Sequence, residues 1–226
     1  MKKRSKRYRE AQKLVDKDKI YSIKEAIEIL KKMPKPKIDE TLEISCKLDI
    51  DSKQSDQIIR GSVTLPHGTG KSIRVAVFCE PEKESKAKEA GADVVGSTDL
   101  IDKIAKGENI NFDYCISTPG MMKHLSKIGK ILGPRGLMPS PKTGTVTENI
   151  SFAVKEAKKG KIDFRMDKFG CIYAGIGKIS FSNEALVENV EAFVEAVKNS
   201  RPQGVKPDFI KSIFLSLTFN PSVRIL

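Results

Sequence analysis

Ile23, Ala26, Ile27 and Leu30 recur at the three- and four-residue spacing of one helix face, and Ser22 with Glu25 ahead of them forms a capping box. Pro34 and Pro36 end that helix. Leu42, Ile44, Cys46 and Leu48 then alternate with Glu43, Ser45 and Lys47, the period of a strand with one buried and one wet face; parity puts Thr41 on the wet face. Near the other end, Leu186, Val190, Phe193, Val194 and Val197 mark a second one-faced helix. Ile213, Leu215 and Leu217 mark a final strand whose opposite face presents Ser212, Phe214, Ser216 and Thr218.

The middle of the chain has another pattern. Residues 72–79 (SIRVAVFC) form a nearly continuous apolar strand, 82–90 and 100–106 are helix-like, and 93–96 and 113–117 are short strands. Strands alternating with helices point to a small parallel sheet covered on its faces. Residues 150–158 are helical, and 161–178 (KIDFRMDKFGCIYAGIGK) have hairpin character, with glycines at turns. The two outer segments each hold one clear helix and a few strands, too little for separate cores, so they are expected to pair with each other. The fold class expected is α/β and α+β in two domains. Residues 1–67 plus 159–226 form a discontinuous α+β domain, 68–158 form an inserted Rossmann-like domain, and Gly68 and Gly70 supply the hinge.

Charge adds a partner class only by its sign: 41 Lys and Arg oppose 29 Asp and Glu, a formal charge of +12. Nine cations and three acids lie in the first nineteen residues, a solvated tail or an arm for a polyanion, with Tyr8 and Leu14 its only anchors. Between 114 and 147, Lys123, Lys127, Lys130, Arg135 and Lys142 stand without one acid. The glycines and prolines of GPRGLMPSPKTGT there forbid a regular helix or central strand, leaving a basic connector or a phosphate-meeting loop.

Other chemistry is scarce. The apolar run at 75–79 is far too short for a membrane span and no apolar stretch follows the basic N-terminus, so neither secretion nor membrane insertion is expected. Cys46, Cys79, Cys115 and Cys171 have no CxxC spacing and read as reduced, buried, cytosolic thiols. Two histidines, His67 and His124, leave little for a metal site or a Ser/His/Asp triad. The segment HGTGKS at 67–72 ends like a phosphate-binding loop, but Leu65 stands where the first glycine is needed and a strand, not a helix, follows. GIGKIS at 175–180 is half a dinucleotide fingerprint and reads as turn glycines. Asp39, Glu40 and Glu43 flank Thr41 beside Lys37 and Lys47, where ion pairing on an exposed strand is expected rather than acid/base work. No catalytic residue, metal or cofactor is assigned.

Several long stretches resemble a known family: KRYRE at 6–10, DET at 39–41, SDQIIRGSVTLPHGTGK at 55–71, EAGAD at 89–93, ILGPRGLMPSPKTGTV at 131–146, FRMDKFG at 164–170 and PSVRI at 221–225. Over essentially its whole length the chain resembles the bacterial large-subunit ribosomal protein one family. The resemblance implies a non-enzymatic, cytoplasmic, ribosome-associated protein. It would grip an irregular helical element of large-subunit ribosomal RNA with its first domain and sit on the stalk that helps deacylated tRNA leave the exit site. When free, it would be monomeric and would repress its own operon mRNA.

Carried over by position, the RNA-facing set is Lys37, Thr41, Glu43, Lys47, Ser212, Ser216 and Thr218, with Arg165, Asp167 and Lys168 in the FRMDK turn. Hydroxyls with few cations suit 2′-hydroxyls and backbone shape. Lys6, Arg7, Arg9, Lys130, Arg135 and Lys142 are expected to make secondary, salt-sensitive contacts. Phe219 and Asn220 complete the RNA-facing set as one of two departures, standing where family members often have Met-Gly; the other is Ile38, which replaces a frequent aromatic. Asparagine is the residue most tolerant, after glycine, of positive φ. Thr218→Val is expected to weaken RNA binding by about 1–3 kcal/mol with near-normal folding. The competing readings are a nucleotide-binding enzyme on the middle sheet, whose saturable nucleotide binding Lys71→Ala would abolish, and a nonspecific nucleic-acid coat.

Overall fold

The computed structural model describes residues 4–16, 18–51, 57–107 and 110–226; the first two residues of the SDQIIRG stretch fall outside these. In chain order the elements are α1 (Lys6–Lys13), α2 (Ile23–Lys32), β1 (Thr41–Leu48), β2 (Arg60–Thr64), β3 (Val75–Phe78), α3 (Glu84–Glu89), β4 (Val94–Gly96), α4 (Thr98–Ala105) and β5 (Tyr114–Ser117). They continue with α5 (Met122–Leu125), α6 (Gly129–Leu132), α7 (Ile150–Lys158), β6 (Lys161–Arg165), β7 (Cys171–Lys178), α8 (Asn183–Asn199), β8 (Ile210–Leu217) and β9 (Val223–Arg224). The chain divides into two compact units, Met1–Gly70 with Ile162–Leu226, and Lys71–Lys161.

In the first unit an antiparallel sheet of order β7-β1-β8-β9 carries α2 and α8 on one face. Strand alternation decides which face: Leu42, Ile44, Cys46, Leu48, Ile213, Leu215 and Leu217 are all buried, against Ala26, Ile27 and Leu30 of α2 and Leu186, Val190, Phe193 and Val197 of α8. The capping box of α2 is formed, with Ser22 Oγ accepting from Glu25 N at 3.3 Å and Glu25 accepting from Ser22 N at 3.0 Å. These bonds hold the Glu25 carboxyl below its ordinary range. Ser182 caps α8 with its hydroxyl alone, accepting from Ala185 N at 3.2 Å.

The second unit has a parallel sheet of order β4-β3-β5. All four residues of β3 are buried because both faces are covered. Ala76 and Phe78 pack toward α4, α5 and α6, while Val75 and Val77 pack toward α3 and α7.

Several expectations are corrected by tertiary pairing. β6 and β7 are not a hairpin: β6 pairs with β2, while β7 joins β1. The residues between them do turn tightly, but Phe164 of β6 packs edge-on against Phe193 at 5.5 Å, and β7 turns Ile172 and Ile176 into the main sheet's core. Gly175 and Gly177 therefore lie within a strand, not at turns. A Cβ on Gly177 would stand 2.8 Å from Leu186, and the register shifts between Leu42 and Glu43 opposite this stretch, so close packing and a bulge explain them. β8 is followed by a further strand, β9, at the sheet edge. The strand read at 72–79 is confined to Val75–Phe78, and the helix read at 82–90 opens with a 3₁₀ turn, Pro81–Lys83, before α3. Ahead of GPRGLMPSPKTGT the basic stretch is helical in α5 and α6, whereas that segment itself holds only a 3₁₀ turn, Pro141–Thr143. The N-terminal arm is not a simple solvated tail, since α1 buries Ala11 completely. Cys171 is half-buried, unlike the other three cysteines, and all four are unbridged.

Candidate nucleic-acid interface

The face of the antiparallel sheet away from α2 and α8 is organised by register into rows. Gly175, Glu43 and Ser216 form one; Tyr173, Ser45, Phe214 and Arg224 the next; Cys171, Lys47 and Ser212 the third. Glu43 and Lys47 are exposed, and Ser212 and Ser216 half-buried, so the register brings four of the residues carried over from the family onto one face, in the two rows that flank the aromatic one. Tyr173, 62% exposed, lies in that aromatic row and was missed by the sequence reading. Phe214 was placed on this face by alternation but given no role. Aromatics at wet-face parity between polar positions were the available signal.

At the end of β8 the chain turns through Thr218, Phe219 and Asn220, and a set of long-range bonds holds that turn. Glu40, buried to 1%, accepts from Phe219 N at 2.9 Å and from Asn220 Nδ2 at 3.1 Å. Asn220 Oδ1 in turn accepts from Arg7 Nη1 at 3.3 Å, and the same guanidinium donates to Pro34 O and Phe219 O. Arg7 also lies over the Phe219 ring, 5.9 Å from its centroid. Asn220 is thus a buried anchor. Among the described residues no non-glycine has positive φ, so its tolerance of that conformation is unused. Arg7 is likewise committed to the fold. Phe219 and Ile38 remain exposed, at 49% and 56%.

Two further residues read as wet are covered or engaged. Thr41 is on the expected face but buried, because Lys178 Nζ donates to its Oγ1 at 3.1 Å and to Asp39 O at 3.0 Å. Thr218 Oγ1, on an exposed residue, accepts from Thr41 N at 3.3 Å. The ion pairs expected around Asp39 and Glu40 do not form among the described residues; Asp39 instead accepts from Ser180 N and Oγ, at 3.2 and 2.8 Å. Lys37 stands exposed just before β1.

In the FRMDK turn, Asp167 accepts from Phe169 N and Cys171 N, each at 2.8 Å, so its carboxylate builds the turn. Gly170 has φ 74° there, and a Cβ would come within 3.2 Å of Leu48 O. The tip is left to Arg165, exposed at the end of β6, and to Lys168, whose Nζ lies 5.2 Å from the Phe169 ring centroid; Lys47 Nζ donates to Phe169 O. Lys6 and Arg9 are exposed on α1. In the second unit Lys130, Arg135 and Lys142 are exposed, on α6 and the loop after it.

The residues read as a hinge are Gly68 and Gly70, with φ 66° and 70°. Asn189, fully buried on α8, donates to Gly68 O at 3.0 Å and Ile176 O at 2.8 Å, and accepts from His67 N at 3.1 Å. His67 Nε2 meets Glu188 at 2.7 Å. Asn189 was not singled out from sequence; a polar residue on the apolar stripe of a helix was the signal.

The nucleotide reading fails on structure as well as motif. β3, not a helix, follows HGTGKS. Where β3 and β5 end, at the place such sheets bind ligands, Glu80 receives the Thr118 hydroxyl at 3.0 Å. Its own backbone amide, foremost, and the Thr118 hydroxyl and Lys83 hold this carboxyl below the ordinary range. A Cβ on Gly120 would stand 2.5 Å from it. A fixed negative charge there repels a phosphate.

Sequence comparison supplies the family. Residues 30–221 match the model of the "Ribosomal protein L1p/L10e family". Proteins described as "Large ribosomal subunit protein uL1" are similar along nearly the full chain. That of Thermosipho africanus is 51% identical over 225 residues, covering 100% of this chain and 97% of the relative. That of Persephonella marina is 50% identical over 228 residues, with 100% and 94% covered, and that of Rickettsia conorii 51% over 220, with 97% and 92%. With the matched region spanning both units and relatives of half-identical sequence along nearly their whole length, the chain belongs to the ribosomal protein L1p/L10e family.

Proposed function

We propose that this chain, a structural protein of the large ribosomal subunit and not an enzyme, binds large-subunit ribosomal RNA through the outer face of its antiparallel sheet. The observation that carries the reading is the register: it sets Glu43 with Ser216 and Lys47 with Ser212 in two rows of one face, on either side of the row of Tyr173, Ser45 and Phe214, and β8 ends at the Thr218 turn. Hydroxyls, one acid and one cation on a flat face suit 2′-hydroxyls and groove shape more than indiscriminate phosphate binding. Lys37, Arg165 and Lys168 border this face as contacts. Thr41, Asp167, Asn220 and Arg7 act beneath it by holding the strand, the FRMDK turn and the Phe219 turn in place. Lys6, Arg9, Lys130, Arg135 and Lys142 add salt-sensitive phosphate contacts.

In this reading the first unit is the RNA-binding domain and the second an inserted domain, with Gly68 and Gly70 at the crossover. The protein resides on the ribosome in the cytoplasm, monomeric when free. At the exit stalk it helps deacylated tRNA leave, and off the ribosome it represses its operon mRNA by binding a similar fold. The test is binding to the stalk fragment of its own ribosomal RNA against a duplex of equal length across a salt series. Tight, shape-selective binding with a modest salt slope is expected. Equal, steeply salt-dependent binding to both RNAs would favour the nonspecific coat and reject the reading.

A further inference from the structure

A cleft of about 510 Å³ opens between α1 and the β8-β9 edge of the sheet, lined by Arg4, Tyr8, Asp16, Phe214, Pro221 and Arg224 among others. Its volume is in the range of small-ligand sites. Two of its lining residues, Phe214 and Arg224, are consecutive members of the row Tyr173, Ser45, Phe214, Arg224, so the open face runs directly into it. Arg4 lies 4.7 Å from the Tyr8 ring centroid, and Arg224 Nε donates to Leu226 O at 2.8 Å, which orients its guanidinium. Among the described residues neither arginine is ion-paired to a side-chain carboxylate.

We propose that this cleft takes one unpaired nucleotide of the RNA strand that crosses the outer face, a subsite that rests on the RNA-binding reading above. A nucleotide asks for a flat apolar surface for the base, a cation for the phosphate and an acceptor for base amino or 2′-hydroxyl protons. Tyr8 and Phe214 offer the first, Arg4 and Arg224 the second and Asp16 the third. A duplex cannot present a base there, so the cleft adds selectivity for RNA with an extruded residue beyond the shape recognition of the flat rows.

The chain contains no tryptophan, so Phe214→Trp gives a single reporter inside the cleft. The full-length variant is titrated with the stalk fragment, and binding is followed separately by filter retention. Quenching of the tryptophan in step with binding is expected. Tyr8→Leu should weaken binding by about 5- to 100-fold while Tyr8→Phe, which keeps the ring, stays near the parent; melting curves check that each variant folds. Unchanged emission on a tightly bound fragment, with Tyr8→Leu unaffected, would remove the subsite and leave the RNA-binding face standing. Emission that shifts with protein concentration alone would assign the cleft to a second copy and overturn the proposal. If the parent chain does not bind the fragment, the RNA-binding reading fails and the subsite with it.

Discussion

Glu40 and Asn220 are 180 positions apart, yet one hydrogen bond between them decides what the end of β8 presents. Glu40→Gln replaces an acceptor with an amide that cannot satisfy both Phe219 N and Asn220 Nδ2. We expect a loss of about 1–3 kcal/mol in stability, measured by denaturant unfolding, and weaker RNA binding. Thr218→Val is no longer expected to leave folding untouched, because the substitution strips Thr41 N of its acceptor. About 1 kcal/mol of stability should go with the RNA affinity, and Thr218→Ser should restore both. The thiols offer a separate probe. Burial pushes the Cys46 thiol up to about 12 and raises Cys115 and Cys79 as well, so these should resist alkylation in the native protein. Half-buried Cys171, beside Lys47 on the outer face, should be modified first, and bound stalk RNA should slow it. Equal labelling with and without RNA, read by mass spectrometry, would place the RNA elsewhere.

Among the elements, the parallel sheet of the second unit is pinned at one end by carboxylates. Asp93 accepts from Val75 N at 2.8 Å, and Asp113 pairs with Arg74 at 3.1 Å. The Val75 amide, foremost, holds Asp93 below its ordinary range, and the Arg74 side chain does so for Asp113; Glu80 is lowered too. A folded pKa below the unfolded value means that the stabilisation is complete above the ordinary carboxylate range and is lost as pH falls through the depressed values. The second unit should therefore lose stability in acid below about pH 4, and Asp93→Asn should flatten that dependence in a pH series of thermal melts. Helices α2 and α8 of the first unit were legible because their information is local. Ser22 and Glu25 cap α2 three residues apart, and the stripe of α8 repeats every three or four. β6 and β7 show the opposite case: neighbouring runs joined by a glycine-rich turn suggested a hairpin, but strand partners are chosen by the core each strand buries, not by adjacency.

On the scale of the molecule, each unit builds its core, among the described residues, from its own buried side chains. The two outer segments should accordingly fold without the insert. A chain in which residues 71–161 are replaced by a short glycine-rich linker should keep most of its affinity for the stalk fragment. It should show a shallower salt slope, having lost Lys130, Arg135 and Lys142. Loss of shape-selective binding by this folded variant, in filter retention, would move the interface to the second unit. The sequence alone determined the helix faces, the parity of β1 and β8, the positive charge and the family, because periodicity and motif are properties of neighbouring residues. The tertiary structure alone decided that Thr41, Asp167, Asn220 and Arg7 support the surface. It also decided that Asn189 ties the crossover to α8 and that α1 closes a cleft over the sheet edge. A polar side chain's role depends on which distant donor or acceptor folding brings to it, and that pairing leaves no periodic trace along the chain.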